Sequence, residues 1–178
     1  MTDSIPLISR RRLLRVGLFG STLLAGAGLL GGLSGCTPEQ PAQGFVLLRD
    51  SDLPMLRRVT AVMLAGATPE AALTDAVEAT LTSLDGGLAY LSPAVAKQVG
   101  QLFDLLSLPL TRGPLTGIWG SWAHAGDAEV MAFLLRWENS PIDLLRQGRA
   151  SLEQMVLMAW YGRPQAWAHC GYPGPPTV

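Results

Sequence analysis

The chain has 178 residues, 48% hydrophobic and 15% charged, with a formal charge of −1. Four of its thirteen basic residues (Arg10, Arg11, Arg12, Arg15) and one of its fourteen acids (Asp3) fall within the first 35 positions, which leaves nine bases against thirteen acids, a formal −4, in the rest. A mildly acidic body of this length is enough for one domain with its own core, and it lacks the positive footprint of a nucleic-acid binder.

Residues 9–15 read S-R-R-R-L-L-R, and an apolar run from Val16 to Leu33 follows, interrupted by six glycines. A serine, the pair Arg10 and Arg11, then two apolar positions and a base match a twin-arginine (Tat) export signal, used for cargo that crosses a membrane folded. The glycines lower the run's hydrophobicity and helix strength. The run closes on Leu33-Ser34-Gly35-Cys36. Small residues before a cysteine, with an apolar residue three places upstream, form a bacterial lipobox. Cleavage would make Cys36 the N-terminus and put lipid on its thiol, and two or three acyl chains anchor durably. The alternative is an uncleaved span, for which the run is long enough. Either leaves the body tethered on the periplasmic side, and Thr37 after the cysteine slightly favours the outer membrane. With Cys36 lipidated, Cys170 has no partner within the chain, which excludes an internal disulfide framework.

Residues 1–35 are therefore expected to be signal and 36–49 a lipidated cysteine with a flexible tether, since 37–44 (TPEQPAQG) hold two prolines, a glycine and no apolar cluster. Residues 50–178 are expected to form the domain. Its first helix should run from about Asp50 to Ala65. Thr68-Pro69-Glu70 reads as a hydroxyl cap with proline in the first turn, followed by a stripe of Leu73, Ala76, Val77, Leu81 and Leu84. Gly86-Gly87 should end or break that helix. Ser92-Pro93 opens the next, with Val95, Val99, Leu102, Phe103 and Leu106 on one side and a stop at Pro109. A loop holding Gly113, Pro114 and Gly117 is expected next. Asp127 can cap a helix facing inward through Val130, Phe133, Leu134 and Trp137. Ser140-Pro141 opens another, with Gly148 a possible break and Leu152, Met155, Val156, Ala159 and Trp160 continuing it. Phe45–Leu48 is the only short run with strand character. The expected fold class is all-α, a single small bundle of about five or six helices.

The residues carry little reactive chemistry. His124 and His169 lack metal-ligand spacing, and the adjacent pair His169-Cys170 makes neither a chelate nor a positioned nucleophile and base. Asp75 and Glu78 read as a solvated helix pair rather than an acid and base. No catalytic, cofactor-binding or metal-binding residue is therefore assigned. The five tryptophans all lie in the last third of the chain. Trp137 and Trp160 suit a core. Trp119, Trp122 and Trp167 sit among Gly, Ser, Ala and Pro, where aromatics serve either as core or as contact anchors. Residues 160–176 read W-Y-G-R-P-Q-A-W-A-H-C-G-Y-P-G-P-P, a tail that either wraps its own bundle or lies against another protein. The candidate partner-binding residues are Trp119, Trp122, Tyr161, Trp167, Tyr172, Pro173, Pro175 and Pro176.

A twin-arginine leader, a small helical body, the step Trp160-Tyr161, the R-P-x-x-W of Arg163, Pro164 and Trp167, and the G-Y-P-G-P-P close together resemble the gluconate 2-dehydrogenase subunit 3 family. The likeness covers about residues 50–176. The opening helix, D-S-D-L-P-M-L-R-R-V-T-A-V-M-L-A-G, resembles that family's start, with Met63-Leu64-Ala65-Gly66 where the family commonly has isoleucine-proline-glycine. The resemblance implies a non-catalytic small subunit that binds, helps export and anchors a flavin-dependent dehydrogenase of the glucose–methanol–choline type. FAD and the chemistry would belong to that partner. A cofactor-loaded partner must cross folded, which explains a leader of this kind on a chain without a cofactor. The alternative is a stand-alone periplasmic lipoprotein, a binding or scaffolding module with a pocket lined by Trp119 and Trp122.

Overall fold

A computed structural model describes residues 40–174, apart from the side chains of Ala168 and His169. The export signal (Arg10, Arg11), the lipidation site Cys36 and the tail prolines Pro175 and Pro176 lie outside the described residues. Within them the domain is all-α. Its helices are α1 (Leu53–Leu64), α2 (Leu73–Leu88), α3 (Pro93–Ser107), α4 (Pro109–Thr116), α5 (Asp127–Glu138), α6 (Asp143–Tyr161) and α7 (Pro164–Cys170). Five have twelve residues or more and two are short; single 3-10 turns at Glu70–Ala72 and Trp122–His124 complete the set.

α2 is the hub, packing most extensively on α6 and α1, while α5 lies on α6 and α4 folds back on α3. The main core gathers Met55, Leu56 and Val59 of α1, Leu81 of α2, Phe103 and Leu106 of α3, Val130 and Phe133 of α5, and Leu152 and Val156 of α6. A smaller second cluster of Leu64, Ala76, Trp160 and Ala166 holds α7 against the α1 and α2 ends.

Aromatic side chains knit the α3–α4–α5 corner. Phe133 meets Trp122 edge-on at 5.9 Å and Trp137 at 5.0 Å between ring centroids. The last four carbonyls of a helix have no partner within it. Here the Trp122 indole N–H donates to the Leu106 carbonyl in the last turn of α3 at 2.7 Å, and that of Trp137 donates to Leu115 in the last turn of α4 at 2.8 Å.

Several expectations need correction. Residues 40–49 are not free tether: Ala42 and Leu48 are buried and Phe45 packs on the core. Phe45–Leu48 is not a strand either. The Val46, Leu47 and Leu48 N–H groups donate to the buried Asp85 carboxylate at 2.6, 2.9 and 2.8 Å, so a side chain takes the place of a partner strand. α2 runs through Gly86-Gly87 because Leu84, Asp85 and Leu88 are all buried and outweigh the poor helix propensity of two glycines. The expected 109–117 loop is α4, started by Pro109 at its first position. Pro114 sits inside α4, where the docking of the Trp137 indole on Leu115 holds the turn. Thr68 provides no side-chain cap. Asp127 is the first helical residue rather than the cap, and the Glu129 carboxylate takes the Gly126 N–H at 2.8 Å. Ser92 does cap α3, but Val95 is exposed. Gly148 breaks nothing. It is a close-approach site: a Cβ there would lie 2.7 Å from Trp137 Cζ3.

Two stability outcomes follow from this packing. Asp85→Ala removes the acceptor of three N–H groups, one of them buried, and is expected to destabilise by about 3 kcal/mol, measured by urea unfolding. Gly148→Ala gains about 1 kcal/mol of helix propensity, yet it drives a methyl into a hydrogen-bonded indole, an overpacking penalty of about 1–3 kcal/mol. A net loss of stability on calorimetry is expected, and a rise in Tm would show that Trp137 moves aside freely.

Candidate partner-docking surface

The C-terminal half of α6 carries two stripes. Leu152, Val156, Ala159 and Trp160 turn inward and are buried. Met155, Met158 and Tyr161, spaced three apart, share the neighbouring face; Met158 is 68% exposed and Tyr161 46%. Between this face and the C-terminal turns of α2 lies an apolar groove of about 290 Å³, lined by Leu84, Gly87, Leu88, Leu91, Met155 and Met158. Methionines are unbranched and polarizable, and they adapt to the shape of a partner.

The tail packs in the second cluster, on residues that do not line this groove. The Trp167 indole N–H donates to the Tyr161 carbonyl at 2.8 Å, so α7 is pinned to the last turn of α6. Gly171 ends α7 in the left-handed region (φ 69°) and returns the chain, with the Tyr172 N–H donating to the Trp167 carbonyl at 3.0 Å. The Tyr172 ring meets Trp167 edge-on at 5.4 Å, and Gly174 lies against the same indole. Up to Gly174 the tail thus wraps its own bundle while leaving Tyr172 and Pro173 exposed. Arg163 stacks over Trp160 at 5.6 Å and reaches the Ala76 carbonyl and Thr80 hydroxyl at 3.4 Å.

Beside α7 opens a recess of about 550 Å³, lined among others by Thr68, Ala72, Asp75, Trp160, Arg163 and Gln165. The Trp160 indole N–H is buried without an acceptor.

Of the candidate residues, Tyr161, Trp167, Tyr172 and Pro173 come together at one end of the domain. Trp119 does not join them. It is 77% exposed, and its ring covers Gly113, where a Cβ would stand 2.5 Å from Cε3. Trp122 is corrected: at 2% exposure it is a core residue and offers no contact surface. Neither tryptophan lines any of the recesses described here, so the pocket expected of a stand-alone binding module is not formed by them. Asp75 and Glu78 do not act together. Glu78 grips Arg57 of α1 through two bonds of 2.6 and 3.0 Å, which raises the arginine above its ordinary pKa, while Asp75 faces the recess. The His124 ring pairs with the Ser121 hydroxyl at 2.8 Å, and the exposed Cys170 thiol donates to the Trp167 carbonyl at 3.4 Å.

Spacing puts Met155 on the core stripe, against which it does pack, and leaves Met158 outside any stripe. Their shared spacing with Tyr161 was the signal for the groove. Among the described residues, no three His, Cys, Asp or Glu side chains cluster as a metal site, and no helix is long and apolar enough to cross a membrane. No family model, curated protein or solved structure matches this chain.

The second cluster is small, so the α7 cap should open more readily than the main bundle. Trp167→Ala is expected to abolish amide protection across α7 in hydrogen exchange while leaving protection in α5 and α6 unchanged. Equal loss throughout would show that α7 and the bundle unfold as one unit.

Proposed function

We propose that this chain is a non-catalytic accessory subunit that binds, helps export and anchors a flavin-dependent dehydrogenase, as its resemblance to the gluconate 2-dehydrogenase subunit 3 family implies. The observation that supports the reading best is the exposed apolar face of α6, Met158 and Tyr161, beside the α2–α6 groove. Exposed Tyr beside adaptable Met suits a protein contact. The twin-arginine leader supports the export role, since folded cargo with a tightly held FAD needs such a route. The lipobox at Cys36 supports the anchoring role. FAD and the reactive groups are assigned to the partner.

A second reading, a stand-alone periplasmic lipoprotein, is favoured by one observation, the recess beside Arg163, whose size suits a small ligand.

Tagged chain extracted from membranes is expected to carry with it a flavoprotein of several hundred residues, recognised by its flavin absorbance. Met158→Asp with Tyr161→Asp, both at exposed positions, should reduce the recovered flavin about tenfold or more without shifting Tm. A clean flavin-free monomer would sink the proposal and favour the second reading. Replacing Arg10 and Arg11 with lysine should strand both proteins in the cytoplasm, and normal delivery of the flavoprotein would remove the export role.

A further inference from the structure

The loop at the start of the domain has an unusual polarity. Phe45 and Leu48 turn toward the core, whereas Val46 is 66% and Leu47 45% exposed. Exposed loops generally show their backbone N–H groups to water. Here the N–H groups of Val46, Leu47 and Leu48 are all taken by the Asp85 carboxylate, and those of Ala42 and Phe45 by the Leu48 and Ala42 carbonyls. What the loop offers outward is two apolar side chains with their own amide donors already satisfied. Satisfied donors lower the cost of carrying these two side chains toward the hydrocarbon, where an unpaired amide is heavily penalised. The apolar stretch is bounded by Arg49, which pairs with Asp52 and Asp104, and by the exposed Asp50.

Chain length supplies the second observation. Ala42, 3% exposed, is the first buried residue among the described ones, six positions after Cys36. Six residues span at most about 22 Å, whereas a domain of this size is on the order of 35 Å across. A lipid on Cys36 can therefore hold only the part of the surface near Ala42 against the bilayer. Val46 and Leu47 lie within that part, since Ala42 N–H donates to Leu48 and Phe45 N–H to Ala42.

We infer that the Val46–Leu47 loop is a membrane-contacting surface that inserts its two side chains into the bilayer interface beside the lipidated N-terminus. Resting on the lipid-anchor reading of Cys36, this assigns the domain a fixed face toward the membrane, with Asp85 as the group that makes the loop fit to enter.

The test uses the full chain purified from membranes and placed in vesicles of phosphatidylethanolamine with a minority of phosphatidylglycerol. A spin label is carried at Val46→Cys in a Cys170→Ser background, and in a second sample at Leu144→Cys, a 71% exposed position at the start of α6. Flotation with the vesicles, together with an acylated Cys36 at the N-terminus in mass spectrometry, verifies the anchor independently. The label at position 46 is expected to collide more with oxygen than with a water-soluble nickel chelate, and the label at 144 to show the reverse. A floating protein whose position 46 is as accessible to the chelate as position 144 would overturn the inference while leaving the anchor standing. Low access to both reagents at position 46 would mean a protein neighbour and would overturn it too. Failure to float would remove the anchor and the inference together.

Discussion

Two indole hydrogen bonds organise this domain. The Leu106 carbonyl closing α3 is buried and that of Leu115 closing α4 partly so, and a buried unpaired carbonyl costs about 1–3 kcal/mol. Trp122 and Trp137 answer those of Leu106 and Leu115, and Phe133 packs edge-on between the two rings. That arrangement sets where α5 must lie. It also dictates that α6 present Gly148 to Trp137, because no other side chain leaves room for the ring. Position and register of the longest helix thus follow from one aromatic corner.

Charge is distributed around that body largely as links between elements. Arg49 joins Asp52 at the start of α1 to Asp104 of α3; its hydrogen bond to Asp52 raises it above its ordinary pKa against the opposing effect of burial. Arg57 ties α1 to Glu78 of α2, Arg58 ties α1 to Asp127 of α5, and Arg149 of α6 pairs with Glu138 of α5 and with Glu153. Apart from Arg49 with the buried Asp52, these pairs are partly or largely exposed and contribute little stability individually. Their effect on the surface is larger: with so many of its arginines paired at helix junctions, the domain leaves the α2–α6 groove and the α7 cap as apolar surface, and the proposed partner contact lies there.

The domain's two ends have different tasks in this scheme. At one end Asp85 gathers the N-terminal loop and turns Val46 and Leu47 outward. At the other, Trp167 gathers Tyr172 and Gly174 around itself. Both are local closures, each organised around one side chain. The N-terminal loop adjoins the α2–α6 groove, since Leu88 lines both that groove and the recess beside Leu47 and Leu48, whereas the α7 cap stands apart beside Ala76 and Thr80.

The all-α class, the Ser92-Pro93 start and the stripes of α2, α5 and α6 were legible in the sequence, because apolar spacing and capping chemistry are local. The glycines and prolines misled. Gly86, Gly87, Gly113, Pro114 and Gly148 read as breaks, since their intrinsic preference opposes a helix, yet all lie within helices. The opposing forces come from residues outside each helical turn: Asp85 bonding to Val46–Leu48, Trp119 lying on Gly113, Trp137 on Gly148. The surface was legible in part. Tyr161, Trp167 and Tyr172 announced themselves by composition, but Trp122 and Trp119, three residues apart in similar surroundings, differ between core and solvent. Only the approach of the Leu106 carbonyl, sixteen residues upstream, decides that Trp122 goes inside. Short-range pattern determined which segments coil and which faces are apolar. Which apolar face is covered and which is left open was decided by tertiary contacts, because burial depends on what arrives from elsewhere in the chain.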